Sequence, residues 1–140
     1  MRVAYLGNFS APHSTENEVR KALCALGVDV DPLQESEPGV FVRLARTVGE
    51  YDLILWTRTL WEPRTPYSEQ RQMLDAAGSR GIPTVAYHLD RWWGLGREAE
   101  VWDAPFFRCE WVFTADGGHQ AEFETAGVNH HWLPPAVSEF

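Results

Sequence analysis

Short apolar, β-prone runs alternate with segments of helical periodicity along the whole chain, and this alternation limits its folding more than any other feature. Val3 to Gly7 is a compact apolar run ending in glycine, suited to a strand buried on both faces of a parallel sheet. After the loop from Asn8 to His13, Thr15 and Glu18 have the spacing of a capping box. Val19, Ala22, Leu23 and Leu26 then follow at helical intervals, with Gly27 as the stop. Val28, Val30 and Leu33 alternate with Asp29 and Asp31, as in a half-buried strand near a sheet edge. Phe41, Leu44, Ala45 and Val48 predict the next helix, and Asp52 to Trp56 a third, buried strand. Ser68 is placed to cap a helix carrying Met73, Leu74, Ala76 and Ala77, which Gly81-Ile82-Pro83 ends. Thr84 to Tyr87 and Trp111 to Thr114 read as strands four and five. Gly117 to Ala126 reads as a short helix closed by Gly127, and Val128 to Leu133 as a last short strand.

The order β-α-β-α predicts an α/β fold, a Rossmann-like three-layer sandwich with a mainly parallel sheet of about six strands and helices on both faces. Parallel strands need crossover connections, and ligands then bind in the crevice outside the carboxyl ends of the strands. At 140 residues a single domain over residues 1–140 is expected. The hydrophobic share of 44%, with seven Trp and seven Phe, supplies enough apolar surface for one core.

The formal charge is −8 and the twelve Lys and Arg are scattered, so the phosphate-neutralising face that drives nucleic-acid affinity is missing. A local basic pocket for one nucleotide or sugar phosphate remains compatible with that charge. Cys24 and Cys109 form no zinc-site spacing and fit a reducing compartment. The opening MRVAYLGNF lacks the apolar core of a signal peptide or a membrane span, so the expected setting is cytoplasmic, with no membrane partner. The turn Gly7-Asn8-Phe9-Ser10 carries no G-x-G-x-x-G, which removes support for NAD or FAD. His119, His130, His131 and Asp116 invite a metal, but adjacent histidines on a strand point to opposite faces and do not share one ion easily. No cofactor or metal is expected.

The strand-end loops contain Asn8 and His13, Gln34 and Glu35, Thr57 and Arg58, then His88, Asp90 and Arg91, and last Thr114, Asp116 and His119. Loops at one sheet edge are where a small molecule is held. His88 can act as a general base or as a donor to a sugar hydroxyl, with Asp90 holding its tautomer or binding a hydroxyl itself. Structural roles stand beside these: a hydrogen-bonded histidine and a turn-capping aspartate. Trp92 and Trp93, with Trp102, Phe106 and Phe107 beyond, form either an apolar platform for a sugar ring or nucleobase, or a loop folded back onto the core. The strand-end position predicts that His88 is accessible, so that His88→Ala would spare stability and remove binding.

Three passages carry a resemblance: Leu26-Gly27-Val28-Asp29-Val30, Pro83 to Asp90, and Phe113 to Val137. In this order, after an opening strand and glycine, they resemble the N-terminal domain of GT-B-fold glycosyltransferases of the group 1 kind, especially divergent bacteriophage-encoded members. The resemblance spans the whole chain. It departs where Ala11-Pro12-His13-Ser14-Thr15 replaces the family's Gly-Gly loop, where Asp116 stands in place of a Ser, and where Pro134-Pro135-Ala136-Val137 stands in place of Pro-Asn-Gly-Val.

The resemblance implies an acceptor-side half of an enzyme that transfers a sugar from a nucleotide sugar. His88 and Asp90 would lie near the reacting centre, and Asn8, His13, Arg58, Arg91, Trp92, Trp93 and Asp116 would contact substrate. The donor-binding second domain would follow Phe140, so the 140 residues alone would be a poor transferase or none, completed by a second domain or chain. Two other readings stay open. One is a non-catalytic module that oligomerises through its Trp-rich loop from Trp92 to Trp102. The other is a small nucleoside- or nucleotide-processing enzyme using Asp90 or Asp116 as its carboxylate.

Overall fold

In the computed structural model, which describes residues 1–58 and 65–134, the six predicted strands are all present and alternate with helices. The strands are β1 (Arg2–Gly7), β2 (Asp29–Gln34), β3 (Leu53–Thr57), β4 (Thr84–Tyr87), β5 (Trp111–Thr114) and β6 (His130–Trp132). Between them lie α1 (Thr15–Ala25), α2 (Val40–Thr47), α3 (Tyr67–Ser79), α4 (Glu98–Asp103) and α5 (Gln120–Thr125). Short 3-10 turns cover Val48–Glu50 and Pro105–Arg108. All six strands are parallel, in the order β2-β1-β3-β4-β5-β6. The strand rich in aspartate is an edge strand, as its half-buried alternation requires, and Pro32 there withholds no donor that a central strand would need.

Strand alternation splits the sheet into two unlike faces. Ala4, Leu6, Ile54, Trp56, Ala86 and Val112 point one way and are at most 1% exposed. They share one core with Phe41 of α2, Met73 of α3, Val101 of α4, Phe106 and Phe107 of the second 3-10 turn, and Phe123 of α5. Trp56 lies at its centre, its ring centroid 5.0 Å from Phe41 and 5.3 Å from Phe106. Four crossovers thus cover one face, and among the described residues α1 alone lies on the other.

Several local expectations are corrected. Ser14, not Thr15, caps α1, its Oγ accepting the Asn17 N–H at 3.2 Å. Ser68 lies inside α3, which begins after Pro66 with no side-chain cap. The α1 apolar stripe is poorly covered: Leu26 is 80% exposed and the one buried residue of the helix is Glu16. The Trp-rich stretch from Trp92 to Trp102, expected as a loop, contains most of α4. Of the stretch from Pro134 to Val137, only Pro134 falls within the described residues.

Gly7 is required by close approach. A Cβ there would stand 2.5 Å from Cγ of Glu16, whose Oε1 accepts the Asn8 N–H at 3.0 Å. Gly7→Ala should therefore cost about 1–3 kcal/mol in urea unfolding, as overpacking does. A loss below a few tenths would show that the β1–α1 turn yields freely.

Candidate functional site

The carboxyl edge of β4 holds the group with the most chemistry. The parallel ladder continues one residue past the strand, His88 N–H donating to the Phe113 carbonyl at 3.0 Å, so the His88 backbone is held rigidly. The Asp90 N–H donates to His88 Nδ1 at 3.0 Å. That nitrogen must then be unprotonated, which puts the ring proton on Nε2. Burial pushes the His88 pKa below its ordinary value, and the Arg97 and Arg58 charges push the same way against the opposing pull of Asp90. His88 is a neutral imidazole that carries its proton on Nε2. This geometry suits a donor rather than a general base.

Contrary to expectation, His88 is not accessible: it is 8% exposed, with its ring edge-on to Trp92 at 5.0 Å. Trp92 is 3% exposed and packs on Phe107 at 5.0 Å, so it is a core residue and not an open platform. Trp93 is half-buried, stacked on His119 and edge-on to Phe123. Trp102 stays in solvent.

Asp116 explains why the double Trp turns inward. Its Oδ1 accepts the N–H groups of Trp92 at 2.8 Å and Trp93 at 2.9 Å, and its Oδ2 accepts the Thr114 hydroxyl at 2.6 Å. At 1% exposure it anchors the loop and does not face a substrate. Two backbone donors and a hydroxyl surround its carboxylate, which gives Asp116 a structural role.

Arginines converge on the other side of Trp92. The guanidinium of Arg97 lies 5.1 Å from its ring centroid and that of Arg58 5.6 Å, within cation–π range. Arg58 is buried and ion-paired with Glu100 at 2.8 Å. Gly94 and Gly96, both at positive φ, fold the loop back so that Arg97 reaches Trp92, and Glu98 Oε1 accepts the Gly94 N–H at 2.7 Å. Leu89, Asp90, Arg91, Leu95, Arg97 and Ala115 line a shallow, solvent-open depression here. Asp90 and Arg91 are exposed at its rim.

Asn8 and His13 belong elsewhere. Asn8 Oδ1 accepts from Ser10 N–H, Ser10 Oγ and Gln34 Nε2, and Gln34 Oε1 accepts the Phe9 N–H, so these residues knit the β1 and β2 ends together. His13 is exposed at the tip of that loop. Glu16 sits buried at the start of α1, so the positive end of that helix is occupied by the chain's own carboxylate. Thr57 hydrogen-bonds Tyr5 at 2.9 Å, and burial raises the Tyr5 pKa.

His130 and His131 do face opposite ways. His130 is buried, 2.8 Å from Thr114 Oγ1 and stacked on Phe123 at 3.7 Å, and burial pushes its pKa down to about 4. His131 is exposed. Among the described residues no group of three His, Cys, Asp or Glu could hold a metal ion.

The structure thus gathers His88, Asp90, Arg91, Trp92 and Arg58, with Asp116 beneath them, and leaves Asn8 and His13 in another group. Sequence reasoning missed Arg97 and Glu100. The paired glycines at 94 and 96, which mark a tight reversal, were the available signal. No helix among the described residues is long and apolar enough to cross a membrane. No family model matches the chain, and no curated protein matches it.

Proposed function

We propose that the chain is the acceptor-side domain of a glycosyltransferase-like enzyme, and that the depression at the carboxyl edge of β4 receives a sugar or sugar-phosphate group of a nucleotide-sugar pathway. The observation that supports this most is the lining of that depression by Asp90, Arg91 and Arg97, with the neutral His88 ring held beside it by the Asp90 N–H. A neutral imidazole N–H donates to a hydroxyl or phosphoryl oxygen without moving a proton, and the exposed Asp90 carboxylate accepts from a hydroxyl. Arg91 at the rim adds the charge that an anionic group needs. One wall is all that these residues supply. Transition-state contacts to the donor come from a second domain or chain.

Isothermal titration with a panel of nucleotides, nucleotide sugars and free sugars is expected to give saturable binding to at least one class. Silence across the panel would sink the reading. Two substitutions separate the two nitrogens of the ring. His88→Asn keeps an acceptor near the Nδ1 position for the Asp90 N–H and deletes the Nε2 donor, so it should lose about 1–2 kcal/mol of packing against Trp92 and about tenfold or more in affinity. His88→Gln keeps the distal donor and leaves the Asp90 N–H without its acceptor, so it should cost about 1–2 kcal/mol and retain more of the binding. Equal affinities for the two variants would remove His88 from the site.

The strand order favours one second reading. β2-β1-β3-β4-β5 is the flavodoxin-like doubly wound order, in which one domain suffices for a nucleotide-processing enzyme. Asp90 would be its carboxylate, since Asp116 is enclosed. Turnover of nucleosides or nucleotides by the 140 residues alone, abolished in Asp90→Asn, would favour this reading over the first.

A further inference from the structure

The two faces of the sheet are unequal. On the face opposite the core, Leu53, Leu55, Val85, Tyr87 and Phe113 are only half-buried although β3 and β4 are central strands, and Trp111 is 42% exposed. Register places Leu55 beside Val85 and Val85 beside Trp111 in one row. Tyr87 lies beside Phe113 and Phe113 beside His131 in the next. The His131 ring lies 5.4 Å from that of Trp111 and 5.5 Å from that of Phe113, so the apolar surface is continuous out to β6.

The cause is topological. A right-handed crossover that steps from β1 to β2 lands on one face, and those that step the other way, from β2 to β3 and on to β6, all land on the opposite face. Among the described residues only α1 therefore covers this side, against β2. Its own flank is bare as well, with Ala22 and Leu26 in solvent.

We infer that this strip is a docking site for one amphipathic α-helix of a partner, lying beside α1 across β3, β4 and β5, apolar on the buried side and basic toward its carboxyl end. Width selects a helix. Three strands span two interstrand spacings, about 10 Å, which is the diameter of one helix.

Area argues against a second copy of the chain. The strip covers on the order of 200 Å², whereas a stable association hides roughly 800 Å² per partner. Charge sets the polarity: the amino edge of the sheet carries Asp29, Glu50 and Asp52 around Arg2, with Glu110 exposed before β5. A helix antiparallel to the strands, as α1 is, ends at that edge, where Lys or Arg complements both the carboxylates and the helix dipole.

The test uses the whole chain and a labelled Leu/Lys peptide of about 14 residues, long enough at 1.5 Å per residue to span the strands, with leucines at helical spacing on one side. Fluorescence anisotropy should show saturable binding, with helix induced in the peptide by circular dichroism. Leu55→Lys should weaken binding about tenfold or more, because it buries a charge against the apolar face. Trp111→Lys, at a position already 42% exposed, should do the same with little change in melting, and it keeps the test open if Leu55→Lys folds poorly. A Leu/Glu peptide of the same pattern should bind about tenfold more weakly. Equal binding of a scrambled Leu/Lys peptide, or undiminished binding to Trp111→Lys, would overturn the inference. So would sedimentation as a dimer that Trp111→Lys dissociates, which would assign the strip to a second copy.

Discussion

Replacing Asp116 by Ala is expected to remove about 2–4 kcal/mol of stability, the cost of leaving its hydrogen-bond donors without an acceptor. The carboxylate is 1% exposed and holds three donors: the N–H groups of Trp92 and Trp93 and the Thr114 hydroxyl. Alanine leaves two backbone donors without an acceptor in a space too apolar to supply water readily. The loop carrying Trp92 and Trp93 loses the contact that turns it into the core. Asp116→Asn retains one acceptor oxygen and should lose roughly half as much, because its amide must compete with His130 for the Thr114 hydroxyl. Urea unfolding followed by tryptophan fluorescence measures both. A loss under about 1 kcal/mol for Asp116→Ala would mean that the loop packs without its anchor.

Acidification is expected to destabilise the fold between about pH 7 and pH 4 through His130. Burial depresses the His130 pKa to about 4, while the unfolded chain takes up its proton near the ordinary 6.5. The unfolded state therefore binds more protons as the pH falls through 6.5. Stability is fully present above that value, declines down to about pH 4, and is level for this group below it. A shift from 6.5 to about 4 sets an upper limit of about 3 kcal/mol. His88 acts with the same sign. Its pKa is lowered, and protonation at Nδ1 would break the hydrogen bond from Asp90 N–H. In His130→Phe, where the ring can still stack on Phe123, the decline should shrink to what His88 and the carboxylates contribute. Urea midpoints of both proteins across this pH range give the difference directly. Identical slopes would show that His130 is not held neutral.

Several features of the fold were readable locally. The apolar run from Val3 to Gly7 and the Asp29, Asp31 alternation gave their strands the right burial, because a strand's period of two reports which sides meet a core. Phe41 and Leu44 likewise marked the buried stripe of α2. The α1 stripe misled, since Val19, Ala22, Leu23 and Leu26 have helical spacing but too little sheet beneath them.

The site was legible only in outline. That polar residues gather at the carboxyl ends of the strands follows from alternating elements, and His88, Asp90 and Arg91 were found there. Their roles were not. His88 is buried and neutral because Trp92 folds over it and Arg58 and Arg97 approach from distant parts of the chain. Trp92 folds inward because Asp116, 24 residues later, accepts its N–H. The sequence by itself determined the element order, the parallel sheet and the edge on which to look, since periodicity and punctuation are properties of neighbouring residues. Only the tertiary structure decided which polar side chains are enclosed, which tautomer His88 adopts and which face of the sheet stays bare, because burial, electrostatic shifts and coverage are set by groups that meet through space.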